Sequence, residues 1–190
     1  RWDRSIGTDL GDWVDARLTV VGVGRIGGAI AERGRAFSMS VSGVVRDPDG
    51  YDGPPLDRVV GPEGLADLLP ETDLLVLAVP LTDETRGLID AAALAALPRS
   101  AFLVNVARGP VVDEAALVEA LAADELAGAG LDVAESEPLA PDSPLWGRDD
   151  VLLTPHVAGR SASFGDRFAA LFVENHDRRR AGEAMTNVIV

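Results

Sequence analysis

The stretch that decides the fold is Leu18-Thr19-Val20-Val21-Gly22-Val23-Gly24-Arg25-Ile26-Gly27. Its first six residues are typical of a buried strand. Its last six have the form G-x-G-x-x-G and open an amphipathic helix predicted over 25–37. In this context the first glycine permits a tight turn, the second lets the backbone approach a pyrophosphate, and the third lets helix and strand pack closely. Free amides at the helix N-terminus add partial positive charge. The stretch therefore predicts a cradle for a dinucleotide.

The same alternation of strand and helix continues along the chain. Strands are predicted at 18–23, 41–45, 74–79, 102–106, 130–133 and 151–154, and helices at 25–37, 64–69, 91–97, 113–123 and 161–180. Apolar strands that alternate with helices indicate the α/β class, here a Rossmann-type doubly wound parallel sheet. We expect one dinucleotide-binding domain over 18–160, with a residual N-terminal connector at 1–17 and a C-terminal helix and tail at 161–190.

The composition narrows the classes of protein to which the chain can belong. Hydrophobic residues make up 47% of its 190 residues, which excludes a disordered chain. Cysteine is absent, which excludes disulfides and thiolate chemistry. The longest apolar run, at 74–81, is too short to cross a bilayer, and the first residues do not resemble a signal peptide. We expect a cytoplasmic protein.

The charge balance is strongly acidic. The sequence has 31 acidic residues against 17 basic ones, all of them arginine, and its net charge is −14. An acidic surface repels nucleic acid and anionic lipid, so we expect neither as a partner. A halophilic origin and a GC-rich genome would both produce this composition. We favour the halophilic origin, because salt screens the self-repulsion of such a surface.

The residues after the second predicted strand bear on the choice between NAD and NADP. An NAD-binding domain usually places there an acidic residue that binds the ribose 2′-hydroxyl. Counting from Gly27 puts Val45 at that position, with Arg46 next and Asp47 two places late. Because a guanidinium matches the geometry of a phosphate, Arg46 predicts NADP as the preferred cofactor. The alternative is that Arg46 lies along the adenine while Asp47 binds the ribose of NAD.

Polar residues follow three other predicted strands, where each strand ends. They lie in the segments 105–114, 131–139 and 153–159, which contain Arg108, Glu137 and His156 respectively. Ligands of an open parallel sheet bind beyond the carboxyl ends of the strands, so we expect the three segments to converge on one crevice. The second histidine, His176, falls in a polar helical stretch. Only His156 is placed for catalysis.

These segments resemble the signatures of the D-isomer specific 2-hydroxyacid dehydrogenase family. The similar parts are the glycine motif at 22–27, the segments 105–114 and 132–139, Thr154-Pro155-His156, and Val79-Pro80-Leu81-Thr82 with Thr85 and Ile89. They occur in the family's order, and Glu137 follows Arg108 by 29 positions. The resemblance runs from about Trp13 to the C-terminus.

The resemblance implies an oxidoreductase that transfers a hydride between NAD(P)H and a 2-oxo or D-2-hydroxy acid, such as glyoxylate or hydroxypyruvate. It implies that His156 moves the proton, Glu137 orients the imidazole, and Arg108 binds the substrate's carboxylate and carbonyl oxygen. No metal is expected. The implied cofactor-binding residues lie in the glycine motif and at the strand ends. They are Gly22, Gly24, Arg25, Ile26, Gly27, Arg46, Val79, Pro80, Thr85, Val106, Ala107, Asp132, His156 and Gly159.

The chain departs from the family in its length. Family members usually carry a separate substrate-binding domain, formed mostly by sequence ahead of the Rossmann half. We therefore expect a fragment or a truncated product that binds cofactor but turns over poorly, and a homodimer for the full-length protein. Two alternatives stay open: a nucleotide-sensing, non-catalytic scaffold, as in the family's corepressor branch, and a Rossmann enzyme related to adenosylhomocysteine hydrolase. The set of Arg108, Glu137 and His156 argues against the scaffold, as does the acidic surface. Thr154-Pro155-His156 and the spacing of Arg108 and Glu137 argue against the hydrolase relative.

Overall fold

In the computed structural model, which describes residues 12–188, seven strands form one sheet in which all neighbouring strands are parallel. The strands are β1 (Arg17–Val21), β2 (Ser40–Val44), β3 (Arg58–Val60), β4 (Leu74–Leu77), β5 (Phe102–Asn105), β6 (Gly128–Leu131) and β7 (Val151–Leu153). The helices are α1 (Arg25–Ala36), α2 (Leu65–Leu68), α3 (Ala91–Ala96), α4 (Glu114–Ala122) and α5 (Phe164–Ala181). The order across the sheet is β3-β2-β1-β4-β5-β6-β7. This confirms the predicted Rossmann-type doubly wound sheet.

The carboxyl ends of all seven strands are in register. The last residues of neighbouring strands pair with one another across the whole sheet, in the order Val60, Val44, Val21, Leu77, Asn105, Leu131 and Leu153. The residues that follow the strands therefore lie along one edge. From β1 the chain proceeds outward through β2 and β3 on one side and then returns to β4 on the other side of β1. The strand order therefore reverses at β1, and a crevice is expected at such a point.

The central strands of the sheet are buried on both faces, as is usual for a parallel sheet, whereas Leu152 of the edge strand β7 is exposed. Alternate residues of β1 point to opposite faces, so Leu18 and Val20 pack in one apolar cluster with Ala31 of α1. Val21 belongs to the other cluster, which contains Leu117 and residues of α2 and α3. The two clusters pack α1, α2, α3 and α4 against the sheet and fix the edge at which the functional loops begin.

Two helices begin at capping aspartates. The Asp113 carboxylate accepts a hydrogen bond from the Ala116 N–H at 3.0 Å, which confirms the predicted cap of α4. Asp90 caps α3 in the same way, with the Ala93 N–H at 2.9 Å. In both cases a local pattern was sufficient to locate the helix start.

Several elements differ from the predicted ones. The strand β1 ends at Val21, two residues before the predicted end, and α5 begins at Phe164, three residues after the predicted start. The strand β3 was not predicted, because it has only three residues and pairs with β2 alone. The strand β4 ends at Leu77, two residues before the predicted end. The strand β6 spans Gly128–Leu131 instead of 130–133. Its start was misplaced because its first three residues are glycine and alanine, which have little preference for strands.

The described residues divide after His156 into two units. The second unit contains α5, an 18-residue helix without buried residues that is followed by Gly182 at φ +75°. Of the predicted connector at 1–17, the first eleven residues lie outside the described part of the chain. Within residues 12–188, no helix combines the length and the apolar composition that crossing a bilayer requires.

Candidate active site

The glycine motif lies between β1 and α1, and each of its glycines has a different reason to be glycine. Gly22 has φ +90°, and a Cβ there would lie 2.7 Å from the Ala78 carbonyl oxygen. A Cβ on Gly27 would lie 2.0 Å from the Gly22 carbonyl oxygen. A Cβ on Gly24 would meet no other described atom within 4 Å. The first and third glycines therefore serve the fold, whereas the second leaves open space in front of the α1 N-terminus, where a pyrophosphate fits.

A cavity of about 880 Å³ opens at the point where the strand order reverses. Six of the predicted cofactor-binding residues line it: Gly22, Gly24, Arg46, Val79, Pro80 and Thr85. Arg25 and Ile26 lie beside it in the first turn of α1, and the Ile26 side chain is 63% exposed. The residues that line the cavity and its volume are suitable for the adenosine and pyrophosphate of a dinucleotide.

The loop after β4 forms one wall of this cavity and is held by its own hydroxyls. The Thr82 N–H donates to the Thr85 hydroxyl at 2.8 Å, and that hydroxyl donates to the Pro80 carbonyl oxygen at 2.7 Å. The pKa of the Glu84 carboxyl is lowered, first by a hydrogen bond from the Thr82 hydroxyl and also by the positive charge of Arg46. Glu84, which sequence reasoning did not single out, lines the same cavity as Arg46.

Arg46 and Asp47 follow β2 at the opposite wall. The Asp47 carboxylate accepts a hydrogen bond from the Gly50 N–H at 3.2 Å, which closes the turn at 47–50. Val45, at the position where the count from Gly27 predicts an acid, donates its N–H to the Val60 carbonyl oxygen of β3. Both Arg46 and Asp47 line the cavity. Of the two side chains, only that of Asp47 is shown to make a hydrogen bond within the turn at 47–50.

His156 and Glu137 are in direct contact, although they lie on different loops. The imidazole Nδ1 is 2.8 Å from the Glu137 Oε2, and the Ala134 N–H donates to the other carboxylate oxygen at 3.2 Å. The pKa of Glu137 is lowered, first by the hydrogen bond with His156 and further by the charges of His156 and Arg108. The carboxylate therefore stays ionised at neutral pH, and its contact leaves the Nε2 of His156 for a ligand.

The backbone of His156 adopts a conformation that is uncommon for a residue with a side chain. Its φ is +54°, in the left-handed region. Its N–H donates to the carbonyl oxygens of Asp132 and Thr154, at 2.8 and 3.0 Å. Asp132 is buried, and its carboxylate accepts a hydrogen bond from the Thr154 hydroxyl at 2.5 Å. The ends of β6 and β7 thus hold a strained residue in one orientation, which is common at functional sites.

Arg108 is positioned by two residues that sequence reasoning did not assign. The buried Asn105 accepts the Ala107 N–H and donates to the Arg108 carbonyl oxygen, both at 3.0 Å. A Cβ on Gly109 would lie 1.8 Å from the Ala134 carbonyl oxygen, so only glycine lets the loop after β5 press against the loop after β6. This contact brings Arg108 close enough to lower the pKa of Glu137 by its charge.

A second cavity, of about 640 Å³, lies beside the histidine. Asp132, Glu137, Thr154 and His156 contribute to its wall, together with Trp146, whose indole N–H donates to the Ala140 carbonyl oxygen at 2.7 Å. Arg108, Val106 and Ala107 do not line it. The other walls are apolar, so the His156–Glu137 pair stands at the polar end of an apolar cavity.

The remaining predicted site residues lie outside both cavities. Val106 donates its N–H to the Leu77 carbonyl oxygen at 3.3 Å, and Ala107 is buried behind Asn105. Gly159 belongs to the second unit. Among residues 12–188 we find no group of three or more acidic, histidine or cysteine side chains that could hold a metal ion.

Comparison with known protein families identifies one that matches most of the chain. The profile described as the NAD-binding domain of D-isomer specific 2-hydroxyacid dehydrogenases matches residues 1–158. A glyoxylate reductase of Korarchaeum cryptofilum is 40% identical over 176 residues, which are 90% of this chain and 51% of that protein. A glyoxylate reductase of Pyrococcus horikoshii is 45% identical over 168 residues, 87% of this chain and 49% of that protein. The chain spans about half the length of the curated relatives it matches.

Solved structures are similar to this chain in fold as well as in sequence. A D-isomer specific 2-hydroxyacid dehydrogenase from Xanthobacter autotrophicus, in complex with NADPH, has a TM-score of 0.84 and 42% identity, covering 95% of this chain and 73% of that one. An NADPH-dependent glyoxylate/hydroxypyruvate reductase from Sinorhizobium meliloti, in complex with NADP, has a TM-score of 0.84 and 31% identity, covering 94% of this chain and 57% of that one. These similarities identify the fold and the class of cofactor.

Proposed function

Since the chain belongs to the D-isomer specific 2-hydroxyacid dehydrogenase family, whose NAD-binding domain it matches, we propose that the whole protein reduces a 2-oxo acid to the D-2-hydroxy acid with NADPH. The observation that carries this proposal is the contact of 2.8 Å between His156 Nδ1 and Glu137 Oε2 beyond the ends of the strands. A histidine held in this way can give up or accept a proton at its other nitrogen. A scaffold without catalytic activity has no need of such a pair.

The proposed chemistry requires one hydride and one proton for each substrate molecule. Bound NADPH would supply the hydride to C2 of the 2-oxo acid. His156 donates a proton from Nε2 to the carbonyl oxygen, and the ionised Glu137 stabilises the charged imidazole before that transfer. Arg108 binds the substrate carboxylate and polarises the carbonyl as negative charge develops on its oxygen. In the oxidation direction His156 accepts the proton instead.

The residues that would hold the dinucleotide follow from the shape of the larger cavity. Gly22, Gly24 and Gly27, with the first amides of α1, would bind the pyrophosphate. Val79, Pro80 and Thr85 would contact the adenosine half, since they form the opposite wall. Towards the nicotinamide we propose Val106, Ala107, Asp132 and Gly159, in keeping with the family resemblance.

Arg46 supports NADP as the preferred form of the cofactor. It is the single basic side chain among the described residues that line the cavity. The Asp47 carboxylate, which would have to bind the ribose of NAD, already accepts the Gly50 N–H. A guanidinium on this wall suits a 2′-phosphate better than a ribose hydroxyl.

Replacing Arg46 by Asp is therefore expected to reverse the preference of this chain. Calorimetric titration in molar KCl should show tighter binding of NADPH than of NADH to the unchanged chain, and a loss of NADPH affinity of about 10- to 100-fold in Arg46→Asp, or roughly 1.4 to 2.8 kcal/mol. Arg58→Asp is the matched control, because Arg58 pairs with Glu71 on the surface and lines neither cavity. Tighter binding of NADH to the unchanged chain would assign the ribose to Asp47.

The pH dependence tests the proton step. Reduction needs charged His156, so its kcat/KM should fall towards alkaline pH, whereas oxidation should fall towards acid pH. The lowered pKa of Glu137 keeps that carboxylate ionised from neutral pH down into the acid range. Glu137 therefore stops stabilising the charged imidazole only in acid. In Glu137→Gln the imidazole loses its ionised partner, so kcat/KM should fall about tenfold or more in both directions.

Rates of the whole protein with glyoxylate and hydroxypyruvate, measured in both directions, check this prediction. Glu135→Gln is the control, since its exposed side chain is two residues away and does not contact His156. A reduction rate that stays flat between about pH 5 and 9 would exclude His156 as the proton donor.

The proposal also covers the cellular compartment, the salt concentration and the oligomeric state in which the protein works. The acidic, lysine-free composition supports a cytoplasmic protein that works at high salt, and the family resemblance supports a homodimer for the whole protein. Binding experiments can use this chain, which contains the cavity lined by Gly22, Arg46 and Thr85. Turnover is proposed for the whole protein only, because relatives are about twice as long.

A further inference from the structure

The wall of the dinucleotide cavity carries an unusual balance of charge. Its charged side chains are one guanidinium, Arg46, and three carboxylates, Asp47, Asp52 and Glu84. A site selected only for an additional phosphate would be expected to collect cations. Negative groups therefore outnumber positive ones among the described residues that line this cavity.

Two of these carboxylates interact with neighbouring groups. The pKa of Glu84 is lowered, first by a hydrogen bond with Thr82 and in addition by the charge of Arg46. The Asp47 carboxylate is fixed by the Gly50 N–H at 3.2 Å. The carboxylates therefore act on any charge that enters beside Arg46, and the net charge of −14 on the whole chain has the same sign.

Salt acts differently on the two opposing interactions. A 2′-phosphate on Arg46 would be in direct contact through hydrogen bonds, and salt screens an interaction at that short distance less than one over a longer distance. The carboxylates act on the phosphate over longer distances, through solvent at the cavity mouth. The screening length is about 10 Å at 0.1 M salt and about 3 Å at 1 M. Raising the salt concentration therefore removes the repulsion before it removes the contact.

We propose that Glu84 and Asp52 are specificity-determining residues that oppose the 2′-phosphate, so that the preference for NADPH over NADH increases with salt. The inference rests on the proposed cofactor function. It adds two residues to that function, Glu84 and Asp52, and a dependence of the cofactor preference on salt concentration. It predicts the reverse of the ordinary behaviour, since phosphate binding by basic residues alone weakens as salt is added.

The test is the ratio of the two dissociation constants, for NADH and NADPH, measured by calorimetry on this chain at low and at molar KCl. The pyrophosphate is common to both ligands, so effects of salt on it cancel in the ratio. We expect the preference for NADPH to rise about tenfold between about 0.1 M and 2 M KCl. Glu84→Gln keeps an acceptor for Thr82 and should raise the low-salt preference about fivefold, with less further change on adding salt.

Asp52→Asn should act in the same direction, which separates an effect of charge from a local change in the 82–85 loop. Glu119→Gln is the control, since it removes the same charge from an exposed position on α4 outside both cavities. A preference that falls with salt, or variants of Glu84 and Asp52 that match the control, would overturn the inference while leaving the cofactor site intact. Absence of binding by either dinucleotide at both salt concentrations would refute the proposed function itself.

Discussion

Gly24→Val is expected to abolish dinucleotide binding without unfolding the protein. A side chain at Gly24 would meet no described atom within 4 Å, and the backbone there, at φ −84°, accepts any residue. The new side chain would instead fill the space in front of the α1 N-terminus that a pyrophosphate needs. We expect the affinity for either dinucleotide to fall about 100-fold or more, or at least about 2.7 kcal/mol. The free energy of unfolding should fall by no more than about 1 kcal/mol, because the change affects only a helix cap.

Gly27→Val provides the contrast, since it changes the same motif three residues later. Its Cβ would lie 2.0 Å from the Gly22 carbonyl oxygen, so the strand and the helix must separate. This variant should lose about 3 kcal/mol of stability, measured by urea unfolding. Calorimetry and unfolding of both variants then separate a residue that serves the ligand from one that serves the fold. Retention of cofactor affinity in Gly24→Val would place the pyrophosphate elsewhere.

His156→Asn is expected to reduce turnover by the whole protein about 100- to 10,000-fold, the range that a general acid contributes. Asparagine tolerates a left-handed backbone better than most residues, so the φ of +54° at this position should be preserved. It cannot, however, donate a proton as an imidazolium does. Steady-state kcat in the reduction direction measures the loss, and the dissociation constant of NADPH should change less than about threefold because no contact of the cradle is altered.

His176→Asn is the matched control, because that histidine is exposed on α5. If His156→Asn kept most of its turnover, the proton donor would be another group. If it lost affinity for the cofactor as well, His156 would be needed for the shape of the site. Loss of turnover with unchanged cofactor binding is the pattern that the contact with Glu137 predicts.

The sequence-based predictions were accurate for features that depend on residues close together in the chain. They missed features that depend on contacts between distant segments. The cap at Asp113 and the glycine motif were located correctly because each depends on residues within one turn or one helix start. The strand β3 was missed because it has only three residues, too few to show an alternation of hydrophobic and polar residues. Glu84 was missed because its position near Arg46 depends on how two loops far apart in sequence approach each other.

The sequence by itself determined the parallel α/β fold, the dinucleotide cradle and the family, because each is written in short segments whose periodicity and spacing suffice. It also located the residues proposed for catalysis, although their roles stay predictions. Only the tertiary structure decided that Gly109 brings the loops of β5 and β6 together, that His156 is held at φ +54° against Glu137, and that three carboxylates line the same cavity as Arg46. These features depend on loops that meet after the strands align in register, and packing between distant segments has no local signature in the chain.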